Sequence, residues 1–519
     1  MITVCFKRVE DKLEASKVAT GSIYLTLRNI LITLIGTLGI AFLARAITQE
    51  DMGTLTVLTL IVSFIQLISD FGLSQALAKY VAELKGREED FSAYFLSSLT
   101  FKIFAALIIC LILSLFSEDI SSLLLRSSSL HGLVRLIAID AFISAFIPAF
   151  NSLLLGAGLL KRMAACNVAY TAARWTAIAI LVYQGYGIYG TIIGWIIGDL
   201  LSVIIYAAAS AHLVKISGNL LSNSTRLIPF LLRFSWPLLA ASMVSFLYTW
   251  YDQALVIAFL PLESVGIYNI SRKAFAVLAG IANALSQSLF PYYGMTYGRG
   301  DHKAISAAIK KASRYTMLII FPLTLGLFST ARATITLFAG QQYEPGWSVL
   351  AIMAVFGLTY GISSVLTGLL VIYEKTKTVM LLNILSVLFS LLLLPAVGML
   401  GLNGLAFMKG ASLLLTFIMN IYFLSKIVKV EIDKETFIKT VISAAIMAAA
   451  VFFTQQVYYS KFFLPIYVLI GAAIYLAEIR IFKVLNSSDI HLFTQILGKR
   501  TAVLIGKLMG CDQNDQSLD

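Results

Sequence analysis

Arg28, Lys102, Arg174, Arg272, Lys273 and Lys409 all fall inside long apolar runs of the sequence, as do Asp140, Asp199 and Asp252. An ionised side chain at such depth is costly and faces a cavity, a partner or a ligand. The set is mostly cationic. Planar arginine donors engage oxygens of an anion in pairs, and lysine adds a compact charge. A cleft lined by Arg28, Lys102, Arg174, Arg272 and Lys409 therefore suits an anionic substrate. Arg272 and Lys273 lie about 100° apart on a helix, so one of them faces the cleft, and Arg272 is the candidate. Snorkelling accounts equally for Arg28, near the inner end of its run, and Lys102 can snorkel or pair with a neighbouring acid. Asp140, Asp199 and Asp252 are counter-ions for these cations or parts of an ion-coupling site; pairing is the simpler account.

Other chemistries lack their residues. His131, His212, His302 and His491 share no ligand spacing, and Cys5, Cys110, Cys166 and Cys511 show no paired spacing, so neither a metal site nor a disulfide is expected. No cofactor is implied beyond a possible coupling Na+ or H+.

The elements that must position these charges are membrane helices. Of 519 residues, 59% are apolar and 13% charged, with a mean hydropathy of +0.88, more than one soluble core can hide. A crossing helix needs about twenty mostly apolar residues. Such runs fall at 22–44, 54–70, 93–116, 133–157, 164–183, 188–210, 234–259, 265–290, 315–338, 347–373, 379–397, 402–424, 437–457 and 463–482. That is about fourteen transmembrane helices, and continuous runs exclude a barrel. Of the 39 Lys and Arg residues, 27 lie in alternate segments counted from the N-terminus and three, Arg45, Arg126 and Lys461, in the others. Positive charge stays cytoplasmic, so both termini are expected inside the cell membrane. The +12 net charge is then a topology signal plus attraction to anionic lipid, and no basic domain supports nucleic-acid binding. No outer loop exceeds roughly twenty residues, which leaves no extracellular domain for an enzyme's catalytic site.

The chain also echoes itself. Leu73-Ser74-Gln75-Ala76-Leu77-x-x-Tyr80 matches Leu285-Ser286-Gln287-Ser288-Leu289-x-x-Tyr292 at an offset of 212, and Glu50-x-x-Gly53 matches Glu263-x-x-Gly266 at 213. Gly187-x-x-Gly190 likewise meets Gly401-x-x-Gly404. Two six-helix bundles related by a pseudo-twofold along the membrane normal follow, with a substrate cleft between them and two extra C-terminal helices. The expected divisions are an inner N-terminus at 1–21, a first bundle at 22–211, a linker at 212–233 marked by Gly218, Asn219 and Pro229, a second bundle at 234–425, two further helices at 437–482 and an inner tail at 483–519. The tail from Asp489 to Gly510 reads equally as an interfacial helix or a solvated tail. Pro148, Pro237, Pro322 and Pro395 mark bends.

Leu43-Ala44-Arg45-Ala46 with Glu50-x-x-Gly53, then Asp70-Phe71-Gly72-Leu73, resembles the N-terminal signature of prokaryotic polysaccharide flippases. Phe234-Ser235-Trp236-Pro237, Asp252 and Val265-Gly266-x-Tyr268 are similar to that family's second half. The resemblance implies the multidrug, oligosaccharidyl-lipid and polysaccharide exporter superfamily, with a V-shaped, MATE-like all-α fold. It further implies a polyprenyl-phosphate or pyrophosphate-linked saccharide as cargo, moved to the outer leaflet by alternating access, with membrane lipids and glycan-assembly proteins as partners. A lipid-linked peptidoglycan precursor flippase and a cation-coupled multidrug exporter are the rivals within the superfamily. A membrane glycosyltransferase or polymerase is the rival outside it.

Overall fold

The computed structural model describes residues 2–215 and 220–485, and every regular element among them is helical. The expectations for the tail beyond 485, for Cys511 and for Gly218 and Asn219 lie outside the described residues, as does the side chain of Cys5. In chain order the α-helices are α1 Ile2–Ala46, α2 Gln49–Asp70, α3 Leu73–Gly86, α4 Ser92–Leu115, α5 Ser117–Leu124, α6 His131–Ser144, α7 Ile147–Gly156, α8 Leu160–Leu181 and α9 Gly187–Ser210. Then follow α10 Leu220–Phe259, α11 Leu262–Gly298, α12 His302–Ser329, α13 Ala331–Ala339, α14 Trp347–Ile372, α15 Thr376–Leu392, α16 Pro395–Leu400, α17 Leu402–Ser425, α18 Lys434–Val457 and α19 Leu464–Ile481.

Twelve stretches among the described residues are long and apolar enough to cross a membrane. One of them, Leu160–Leu213, is 54 residues long. It turns back on itself where Gly185 (φ 91°) and Gly187 (φ 51°) adopt left-handed backbone, so α8 and α9 form a hairpin. Thr376–Leu392 is a shorter apolar helix of 17 residues. Large apolar side chains such as Leu38, Phe104, Leu115, Leu392 and Phe453 point outward, as lipid-facing positions require. The chain is a multi-pass membrane protein.

Prolines act in two ways. Pro148 and Pro395 sit in the first turns of α7 and α16, where a missing N–H is harmless, and they split the expected spans 133–157 and 379–397 into two helices each. Pro229, Pro237 and Pro322 instead lie inside continuous helices. The expected linker at 212–233 is thus helical from Leu220 onward, because a proline in an apolar helix need not break it. The expected span 315–338 also divides, at Thr330, whose hydroxyl turns back to the Gly326 carbonyl at 2.7 Å.

The helices gather into two compact units, Met1–Trp250 with Ile257–Gly266, and Tyr251–Val256 with Ile267–Asp519. By this division most of α10 belongs to the first unit, while the turn carrying Tyr251 and Asp252 belongs to the second. In the first unit Leu77, Val81, Phe95, Leu153, Met163 and Tyr206 form a buried core. In the second, Ile309, Met317, Phe321, Ile362, Leu366 and Met447 do so. Polar seams fasten the second unit, with the Asn420 amide donating to Ser363 at 2.8 Å and Thr367 at 3.0 Å.

The repeat-related glycines meet each other inside the first unit. A Cβ on Gly53 would lie 1.8 Å from the Leu262 carbonyl oxygen, and one on Gly266 would lie 2.2 Å from that of Gln49. The first turns of α2 and α11 pack backbone to backbone there.

Asp433 caps α18, accepting from the Thr436 N–H at 3.2 Å and its hydroxyl at 2.8 Å. Partial burial works against its charge. The Thr436 donors, with Arg314 and Lys310, outweigh that and hold the carboxyl below the ordinary carboxylate value. A depressed carboxylate contributes stability above its unfolded value, about 3.9, and loses it as pH falls through the folded value. Melting curves should show Asp433→Ala destabilised by about 1 kcal/mol at neutral pH. Asp433→Asn, which keeps the cap without titrating, should lose less stability than the native chain below pH of about 4.

Candidate functional site

Two buried charge clusters, one in each unit, collect most of the candidate residues. In the first unit α8 supplies Arg174, α9 Asp199 and α6 Asp140. Close packing of α9 on α8 sets the geometry. A Cβ on Gly198 would sit 2.5 Å from the Arg174 Cα, and one on Gly194 would sit 2.8 Å from the Ile178 backbone, so only glycine lets the two helices approach here. The Arg174 Nη1 donates to the Tyr170 hydroxyl at 2.6 Å and lies 3.4 Å from Asp199 Oδ1. Its guanidinium stacks 4.8 Å from the Trp195 ring centroid. Asp140 lies within Coulombic reach of both Arg174 and Asp199. Both acids are fully buried, and among the described residues no well-aligned hydrogen bond reaches their carboxylate oxygens. Arg174 thus serves both carboxylates, paired with Asp199 and acting on Asp140 at longer range.

The second unit reverses the ratio. Asp252, fully buried in α10, accepts from the Tyr268 hydroxyl at 3.0 Å. Arg272 Nε stands 3.5 Å from one of its oxygens and Lys409 Nζ 3.4 Å from the other. The Lys409 ammonium lies over the Tyr251 ring at 4.3 Å, and that ring is held by hydrogen bonds between its hydroxyl and Ser412 at 2.9 Å and Ser390 at 3.1 Å. The Arg272 and Lys409 side chains remain 23% and 15% accessible. Two cations thus flank one acid. Lys273, the next residue after Arg272, is exposed.

Lys102 and Arg28 stand apart. Lys102 is fully buried and donates to Asp70 at 2.5 Å and to Ser74 at 2.8 Å, while Ser74 also donates to Asp70. The Asp70-Phe71-Gly72-Leu73 segment explains this: Phe71 (φ 48°) and Gly72 (φ 76°) take left-handed backbone between α2 and α3, and the acid ending α2 anchors α4. Lys102 therefore presents no free ammonium to a cleft. Arg28 is half-buried and donates to the side chain of its neighbour Asn29 at 2.9 Å.

Sequence reading missed Tyr170, Trp195, Tyr251, Tyr268 and Asp70 as partners. A usable signal existed for the first cluster: Gly190, Gly194 and Gly198 recur every four residues, the spacing of a close helix contact, immediately before Asp199.

A chain of apolar helices folded around buried ion clusters is a polytopic transporter-like membrane protein, and solved structures share its fold. It superposes on the lipid II flippase MurJ in an inward closed conformation with a TM-score of 0.71 at 17% identity, covering 89% of this chain and 98% of that one. A multidrug resistance MATE family transporter of the MOP superfamily in an inward-facing conformation matches with a TM-score of 0.55 at 16% identity, covering 78% and 98%. Residues 42–348, more than half of the chain, match the polysaccharide biosynthesis protein family, and the chain belongs to it. It is 21% identical over 435 residues to the probable low-salt glycan biosynthesis flippase Agl15 of Haloferax volcanii, covering 84% of this chain and 89% of that protein. It is 22% identical over 326 residues to the succinoglycan biosynthesis transport protein ExoT of Rhizobium meliloti, covering 62% of this chain and 63% of that protein.

Proposed function

We propose that this chain is a flippase, not an enzyme, that moves a polyprenyl-phosphate or pyrophosphate-linked oligosaccharide from the inner to the outer leaflet by alternating access, with both termini cytoplasmic. The observation that carries the reading is the pair of cations at Asp252, Arg272 and Lys409, whose side chains remain partly accessible. Such donors suit a phosphate headgroup. Family membership and the flippase and transport names of the relatives support the saccharide part.

The test is translocation of a polyprenyl-linked saccharide by purified protein in liposomes. Lys409→Ala should leave Asp252 paired with Arg272 and the protein folded, while translocation falls by about ten- to a hundredfold, the worth of one charge-assisted contact. Undiminished translocation would remove Lys409 from the headgroup site. Movement of lipid-linked peptidoglycan precursor in place of other lipid-linked saccharides would favour that rival, and drug efflux with no lipid movement would favour a multidrug exporter.

We further infer that Asp140 and Asp199 take the coupling cation, H+ or Na+. Their support is the burial of both carboxylates, whose oxygens receive no well-aligned hydrogen bond among the described residues. Asp199→Asn should make translocation insensitive to an imposed proton or sodium gradient.

A further inference from the structure

A cavity of about 470 Å3 in the second unit is lined by none of the residues of the Asp252 cluster. It forms where the end of α12, the start of α14 and the end of α18 meet, in the range of about 300–1,000 Å3 typical of small-ligand sites. Its walls carry exposed aromatic faces from Trp347, Phe452 and Tyr459. The Tyr459 ring is fixed from two sides. The Arg332 guanidinium stacks 4.8 Å from its centroid, and its hydroxyl meets that of Thr336 at 3.3 Å. Arg332 is held in turn by Glu344, to which its Nε donates at 2.6 Å. The exposed amide of Gln456 lies on the same lining.

We propose that this cavity is a saccharide-binding subsite. A pyranose ring has an apolar C–H face and an equatorial belt of hydroxyls. Rigid, half-exposed aromatic rings match the first, and an amide with a locked guanidinium–carboxylate fork supplies donors and acceptors for the second. A hydrocarbon tail would leave the fork unused. Such a tail suits instead the separate, almost wholly apolar cavity that Pro322, Leu323, Met447 and Val468 line in the same unit. A free phosphate would meet the Glu344 carboxylate beside its only guanidinium. The inference rests on the flippase reading and adds to it a place for the glycan, away from the phosphate site.

The experiment is retention of the full-length protein, in detergent, on an array of microbial oligosaccharides. The native protein should be retained by a subset of glycans. Trp347→Ala should weaken retention by about tenfold and Gln456→Leu by about threefold, whereas Phe453→Ala, which removes a ring facing outward, should leave it unchanged. Gln456 is exposed, so its variant tests the subsite even if Trp347→Ala fails to fold. Retention of no glycan by the native protein, or equal retention by Gln456→Leu and a folded Trp347 variant, overturns the proposal. Translocation separates the two readings: a native protein that flips a lipid-linked saccharide but retains no glycan loses only the subsite, and one that retains glycans but flips nothing loses only the flippase assignment.

Discussion

Replacing Arg174 by alanine should destabilise the protein by about 3–5 kcal/mol, the cost of leaving a buried charge without its partner. The expectation follows because Arg174 pairs with the fully buried Asp199 at 3.4 Å and also acts on the fully buried Asp140. Sequence alone suggests that this variant would lose transport while staying folded. The geometry changes that expectation to loss of both. Adding Asp199→Asn should restore part of the stability, since one of the two uncompensated charges is then gone. Thermal melting of the single and double variants in detergent decides the matter. Equal melting of Arg174→Ala and native protein would mean that both acids are neutral in the folded state, and the shared-guanidinium account would fail.

Gly53→Ala should be nearly as damaging, although it adds one methyl group. Overpacking in a core costs about 1–3 kcal/mol when neighbours can rearrange. Here the obstacle is the Leu262 carbonyl oxygen, 1.8 Å from the added carbon, so a helix turn must move and the cost should lie at or above the top of that range. Gly266→Ala should behave alike against the Gln49 carbonyl. Gly280→Ala is the control: it meets nothing within 4 Å in the middle of α11 and should stabilise by about 0.5–1 kcal/mol. Comparable yields of monodisperse protein from Gly53→Ala and Gly280→Ala would refute the backbone contact.

Helix placement was largely legible because apolar runs and their breaks are local. Pro148 and Pro395, expected as bends, instead open new helices, since proline in a first turn is compatible with helix only on one side. Pro229 was misleading: its effect depends on whether the freed carbonyl finds another partner, which is a tertiary matter. The same limit governs the charges. Their types and depth were readable. Which acid meets which cation was not, because Lys102 and Asp70 are 32 positions apart and Lys409 and Asp252 are 157 apart. The Glu50-x-x-Gly53 and Glu263-x-x-Gly266 echo was visible as a repeat, but only the fold shows that the two copies touch.

The opposite stoichiometry of the two clusters has an electrical consequence. With all groups ionised, Arg174 leaves one negative charge uncompensated and Asp252 leaves one positive charge. A membrane voltage acts on each with about 2.3 kcal/mol per 100 mV for a full crossing, and with opposite sign. An empty protein that carried both by equal distances would do no net work against the voltage. On the proposed reading an anion cancels the positive excess at Arg272 and Lys409 and a coupling cation cancels the negative excess at Asp140 and Asp199, so a step in which only one of the two is bound should sense membrane potential.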